Sequence, residues 1–168
     1  MLNKLKKYIE NNLIIDTNNL YSYAIFNEED DIKKDFVFKR SKTTNIQDFI
    51  DENQNKYSTF QTILFKMIDS RNLKDSDVYN KVHIDRRLFS KIRSDYNYHP
   101  SKETVILLGL SLELSEDEIV YLLDSASYSL AKNNYFDLII RFCFINKIYK
   151  LTEVNDLLEA YNCRLFNY

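Results

Sequence analysis

Leu73–Arg93 reads LKDSDVYNKVHIDRRLFSKIR, and the fold turns on where its apolar residues fall. Val78 and Val82 stand four apart, Ile84 follows two residues later, and Phe89 and Ile92 lie three apart beyond it. Two short helices joined by a tight turn must share one small core, so apolar positions on both sides of the turn are fixed and the outer face of the second helix is left free. The spacing predicts one helix over SDVYNKV, a sharp corner at His83 and Ile84, and a second helix over DRRLFSKIRS. Arg86 and Arg87 then turn out to solvent.

Helical patterning continues in both directions. Upstream, Ser58 and Gln61 have the spacing of a capping box, and Phe60, Ile63, Leu64, Met67 and Ile68 form one apolar face. Downstream, Pro100-Ser101 leads into KETVILLGLSLEL, and Ser115 with Glu118 makes a second capping box ahead of EDEIVYLLDSA. Two more helices are expected, one around Tyr135 to Asn146 and one from Glu153 to Tyr161 capped by Thr152. Near the N-terminus, Leu2, Leu5, Ile9 and Leu13 recur at three and four, with Lys4, Lys6 and Lys7 outward. Asp16 or Thr17 can cap a short helix reaching Phe26, NEEDDIKKD reads as a solvated turn, and FVFKR as a short strand. Thr43 or Thr44 opens another helical stretch through Ile46, Phe49 and Ile50. The polar run Asn53–Tyr57 marks a boundary. The expected organisation is a helical region over 1–55, a five-helix bundle over 58–125, and a two-helix extension over 126–168 packed on it.

Composition agrees with an all-α fold. The chain holds 45% hydrophobic residues, with 13 Tyr and 11 Phe, enough to bury a core. It holds one Gly and one Pro, so hairpin-rich β folds and phosphate-cradling glycine loops are excluded, and few turns with positive φ are expected. Gly109, inside LLGLSL, is read as a point of close helix packing. Cys143 lies in the apolar run LIIRFCFI and reads as a core thiol; with Cys163 it matches no metal spacing. Tyr121, Tyr135, Tyr149 and Tyr161 fall on amphipathic patterns as core or rim residues. The basic N-terminal stretch MLNKLKKYIENNLIID never reaches an uninterrupted apolar segment, and no apolar run is long enough to span a bilayer, so a cytoplasmic protein with no membrane partner is expected.

The 73–93 segment resembles the phage-repressor helix-turn-helix family without a gap. Leu73 matches the apolar residue before helix two, Val78 and Val82 its buried face, Ile84 the residue after the turn, and Phe89 and Ile92 the buried face of the recognition helix. His99–Leu123 resembles the family's next two helices. What the resemblance implies is a recognition helix whose first turns enter the major groove of duplex DNA. Asp85, Arg86, Arg87, Ser90 and Lys91 match its reading positions, with Lys74 and Asp75 at the head of the preceding helix. Arg86 and Arg87 would take guanine, Lys74, Lys91 and Arg93 would hold phosphates, and Tyr96 and Tyr98 would brace the backbone. His83 stands where the family places a turn glycine. The stretch from Asp77 to Tyr161 also resembles a module appended at the C-terminus of assorted bacterial proteins, among them macro-domain and other conflict-associated proteins, which implies a tethering or sensing role.

Two function classes follow. The first is a DNA-binding transcriptional regulator of bacterial or phage origin, acting as a homodimer joined through Tyr135–Tyr161, because one such domain offers little surface for tight specific binding. The second is a protein-binding adaptor or inhibitor in bacterial defence or phage counter-defence, gripping a host or phage protein with the same bundle. Net charge is −2, so the whole molecule has no field that draws nucleic acid, and binding must come from a local patch. Between Leu73 and His99, Lys74, Lys81, Arg86, Arg87, Lys91 and Arg93 face Asp75, Asp77, Asp85 and Asp95, a surplus of two positive charges. From Ser115 onward eight acidic residues outnumber five basic ones, which favours the adaptor. His83 and His99 lack partners at zinc-ligand spacing, and no nucleophile, P-loop or paired-carboxylate motif is present, so no enzyme activity, metal or cofactor is expected.

Overall fold

The structure, a computed structural model, describes residues 1–13, 46 and 59–167. It is all-α. Among the described residues there is no strand, and eight helices are described along their whole length. They are α1 (Leu2–Asn12), α2 (Phe60–Ser70), α3 (Asp75–Lys81), α4 (Arg86–Ser94), α5 (Lys102–Ser111), α6 (Glu116–Ser125), α7 (Tyr135–Ile145) and α8 (Leu151–Glu159). None is long and apolar enough to cross a membrane.

Local chemistry starts most of these helices. Asp85, Ser101 and Asn134 each accept amides of the first turn, and Ser115 with Glu118 forms a reciprocal capping box. Two expected caps are corrected. Thr59 caps α2, accepting from the Thr62 amide, while Gln61 is buried and turns elsewhere; Ser58 lies outside the described residues. Thr152 sits inside α8, whose N-cap is Lys150 without a side-chain bond. The expected helix to Phe26, the FVFKR strand and the 53–57 boundary also lie outside the described residues, and of the 43–50 stretch only Ile46 is described, helical and exposed.

The expectation of few positive-φ turns is overturned. Asn72, His83, Glu113, Ser127, Lys147 and Asn162 all have φ between 52° and 59°. Each amide returns to the carbonyl three residues back, and the next residue's amide returns to the carbonyl five back, as with His83 to Asn80 and Ile84 to Tyr79. That is the Schellman closure, built here without glycine. The residue after each left-handed position is Leu73, Ile84, Leu114, Tyr128, Ile148 or Cys163, and every one packs against the core. Burial of that following side chain offsets the roughly 1–2 kcal/mol that a left-handed backbone costs an L-residue.

Packing centres on α5. Val105, Ile106, Leu108 and Leu110 are fully buried, because α5 is apolar nearly all round and is flanked by α3 and α6. A Cβ on Gly109 would overlap Ile119 Cδ1 of α6 and come within 3.2 Å of Phe144 of α7, which accounts for the glycine there. Lys102 and the buried Asp137 pair at 2.7 Å, joining α5 to α7, and Asp137 also accepts the Ala131 amide. Arg71 at the end of α2 pairs with Glu118 of α6 at 2.7 Å.

Helix α1 belongs with this bundle. Met1–Leu13 and Ser58–Tyr168 form one compact unit. Leu5 and Ile9 are buried, and the Tyr8 ring meets Phe142 of α7 at 5.5 Å. The expected grouping of residues 1–13 with the rest of 1–55 is corrected accordingly: the i, i+4 stripe of α1 finds its apolar partner on α7. Leu2, expected on the same face, is exposed.

Candidate nucleic-acid interface

Helices α3 and α4 are joined by four residues, Val82–Asp85, and pack on each other. Val78, Val82, Ile84, Phe89 and Ile92 are all buried. The Phe89 ring packs edge-on to Phe65 at 6.2 Å and against Tyr79 at 5.5 Å, which fixes the rotation of α4 about its own axis. With that face spent on the core, Arg86, Arg87, Ser90 and Lys91 are exposed. Neither Arg86 nor Arg87 enters an ion pair among the described residues.

Asp85 precedes them, and its carboxylate accepts the amides of Arg87 and Leu88 at 2.6 and 3.4 Å. A negative charge at a helix N-terminus meets the positive end of the helix dipole, so Asp85 is held in place as a cap. Asp95 at the other end accepts the Asn97 amide at 3.0 Å. Asp75 meets Arg93 at 2.5 Å, and the Arg93 guanidinium also lies 4.0 Å from the Phe65 ring centroid. Arg93 is thus drawn back over α2 and α3 while Arg86 and Arg87 stay outward. All four aspartates noted in the sequence are engaged locally, Asp77 by accepting from the Ser76 hydroxyl at 3.5 Å.

A cleft of about 410 Å³ runs between α3 and α4, lined by Lys74, Asp75, Arg86, Phe89, Ser90 and Arg93 among others. The structure therefore brings four of the seven expected site residues to one cleft. Arg87 and Lys91 stand on the same helix outside its lining, and Lys91 lies 4.7 Å from the centre of the Tyr98 ring. Tyr96 follows in the loop after α4 and is exposed. Sequence reasoning missed Gln61, whose amide reaches this loop from α2. The available signal was a single amide within a strongly apolar helix face, and it was assigned to a local cap instead.

The two thiols fit a structural reading. Burial pushes the Cys143 thiol up to about 12, and burial also raises that of Cys163. Of the tyrosines expected on helices, Tyr149 precedes α8 and donates to the Leu114 carbonyl at 3.1 Å, while Tyr161 lies past its end and stacks on Tyr135 at 5.9 Å. No protein-family model, curated protein or solved structure matches this chain.

Proposed function

We propose that this protein is a cytoplasmic, duplex-DNA-binding transcriptional regulator of the phage-repressor type, reading DNA with α4. The observation that carries the proposal is the outward face of α4: Arg86, Arg87, Ser90 and Lys91 exposed together on a helix whose opposite face is locked into the core. Arg86 and Arg87 are free to make bidentate contacts with guanine. Lys74 and Lys91 are placed to neutralise phosphates, and Tyr96 to brace the backbone. Arg93 enters this assignment as a phosphate contact made while tied to Asp75. Binding is as a homodimer, with the contact among α7 and α8 where Tyr135 and Ile145 are exposed.

The test is a titration of duplex DNA at two salt concentrations. Each phosphate neutralised releases counterions, so affinity should fall steeply as salt rises. Undetectable binding at low salt overturns the proposal.

A second reading, a protein-binding adaptor or inhibitor in bacterial defence or phage counter-defence, is favoured by one observation. Helix α6 exposes Asp117, Val120, Tyr121 and Asp124, a mixed acidic and apolar stripe at helical period. A stoichiometric partner that stays bound at high salt would support it over the regulator.

A further inference from the structure

Gln61 lies in the first turn of α2 and is 6% exposed. Its amide nitrogen donates to the Tyr98 carbonyl at 3.0 Å and stands 3.4 and 3.5 Å from the carbonyls of Asp95 and Tyr96. All three acceptors belong to one turn, closed by the Tyr98 amide on the Asp95 carbonyl at 3.0 Å. That turn leaves α4 directly. It presents Tyr96, which is 78% exposed, and it carries the Tyr98 ring beside which the Lys91 ammonium sits.

The chemistry asks for an amide at this position. Three carbonyl oxygens converge on it, so the group facing them must donate, and the carboxamide brings two N–H bonds. A carboxylate of the same shape would bring only lone pairs, and an apolar side chain would leave carbonyls without their partner.

We infer that Gln61 is a positioning residue of the nucleic-acid interface: by gathering the carbonyls of residues 95–98 it sets Tyr96, and through Tyr98 the Lys91 ammonium, in register with Arg86 and Arg87. The inference rests on the DNA-binding reading of α4. Loop contacts reach a ligand with defined geometry only when a rigid element holds the loop, and α2 supplies that element from 34 to 37 residues away in sequence. Contacts to phosphate orient a protein without reading bases, so loss of Gln61 weakens binding to every duplex alike.

The experiment titrates the full chain with a short mixed-sequence duplex across a salt series, comparing Gln61→Glu, Tyr96→Ala and the double variant. Gln61→Glu is expected to lower affinity about tenfold and to reduce the salt dependence by about one phosphate contact. Tyr96→Ala should weaken the otherwise unaltered chain and add nothing in the Gln61→Glu background. Hydrogen exchange at the Tyr98 amide should quicken while the amides of α3 and α4 keep their protection, which separates loop release from unfolding. If Gln61→Glu does not fold, Gln61→Met carries the same comparison with the same expected direction. Equal losses from Tyr96→Ala in both backgrounds, or an unchanged Tyr98 amide, overturn the role of Gln61. Binding by the unaltered chain that Gln61→Glu leaves intact removes that role alone, whereas no binding by the unaltered chain removes the function and the role together.

Discussion

The α3–α4 and α5–α6 corners share one backbone design and carry opposite chemistry. Each is a four-residue connector: Val82, His83, Ile84 and Asp85 in one, Leu112, Glu113, Leu114 and Ser115 in the other. Each closes its first helix with a left-handed residue, buries the next apolar side chain, and caps the second helix with a side-chain oxygen. Beyond the turn they diverge. Helix α4 exposes Arg86, Arg87, Ser90 and Lys91, whereas α6 exposes Asp117, Val120, Tyr121 and Asp124. Two helices joined by a four-residue, left-handed corner are therefore a packing solution that this chain uses more than once, and what distinguishes a candidate reader is the set of side chains the packing leaves outside.

The largest expected effect breaks the comparison directly. Arg86→Ala with Arg87→Ala should weaken duplex binding on the order of a hundredfold, since each bidentate base contact is worth roughly 1–3 kcal/mol. Asp117→Ala with Asp124→Ala on α6 should leave binding equal or slightly tighter in the same titration. Comparable losses from the two pairs would show that the corners are not specialised.

Next in size is the packing between α5 and α6. Gly109→Val would drive a branched side chain into Ile119 and Phe144, with an expected cost of about 2–3 kcal/mol in urea unfolding. The caps come after it. Asp85→Ala and Ser115→Ala should each cost about 1 kcal/mol of stability, because both leave first-turn amides without an acceptor. Asp85→Asn separates the two jobs at that position: it keeps the cap, so stability should hold, and it removes a charge that repels phosphate, so duplex affinity should rise a few-fold. Smaller again, His83→Gly and Glu113→Gly should each stabilise by up to about 1 kcal/mol through relief of left-handed strain. In Glu113→Gly the loss of the exposed contact with Lys81 subtracts from that gain.

The smallest effect is the pH response of the α5–α6 corner. Burial acts to raise the Glu118 carboxyl, but the Ser115 amide and the Arg71 guanidinium outweigh it and hold the group below its ordinary 4.5. A carboxyl lowered in the folded state adds stability above its unfolded value and loses it as pH falls through the folded value. Urea midpoints should therefore drop as pH falls below 4.5, and Glu118→Gln should flatten that decline.

Much of this was legible before any coordinates. The buried faces of α2, α3 and α4, the capping box at Ser115, and the close packing at Gly109 all follow from residues three to four apart or from a single residue's size. Two departures share a tertiary cause. Gln61 has the spacing of a partner for Ser58 but turns to the loop after α4, and the scarcity of glycine does not limit left-handed turns because the residue that follows each one packs against the core. Helix α8, by contrast, simply starts two residues earlier, with Lys150 rather than Thr152 at its N-cap.

Helix positions, which faces are apolar, and the outward placement of Arg86 and Arg87 were settled by the amino-acid order, because they depend on bonds and spacings within one turn of helix. Only the tertiary structure could decide that α1 covers α7, that Arg93 leans back onto Asp75 and Phe65, and that Gln61 holds the loop after α4. Each of those joins groups 18 or more positions apart, where propensity carries no information and the packing of whole helices selects the partner.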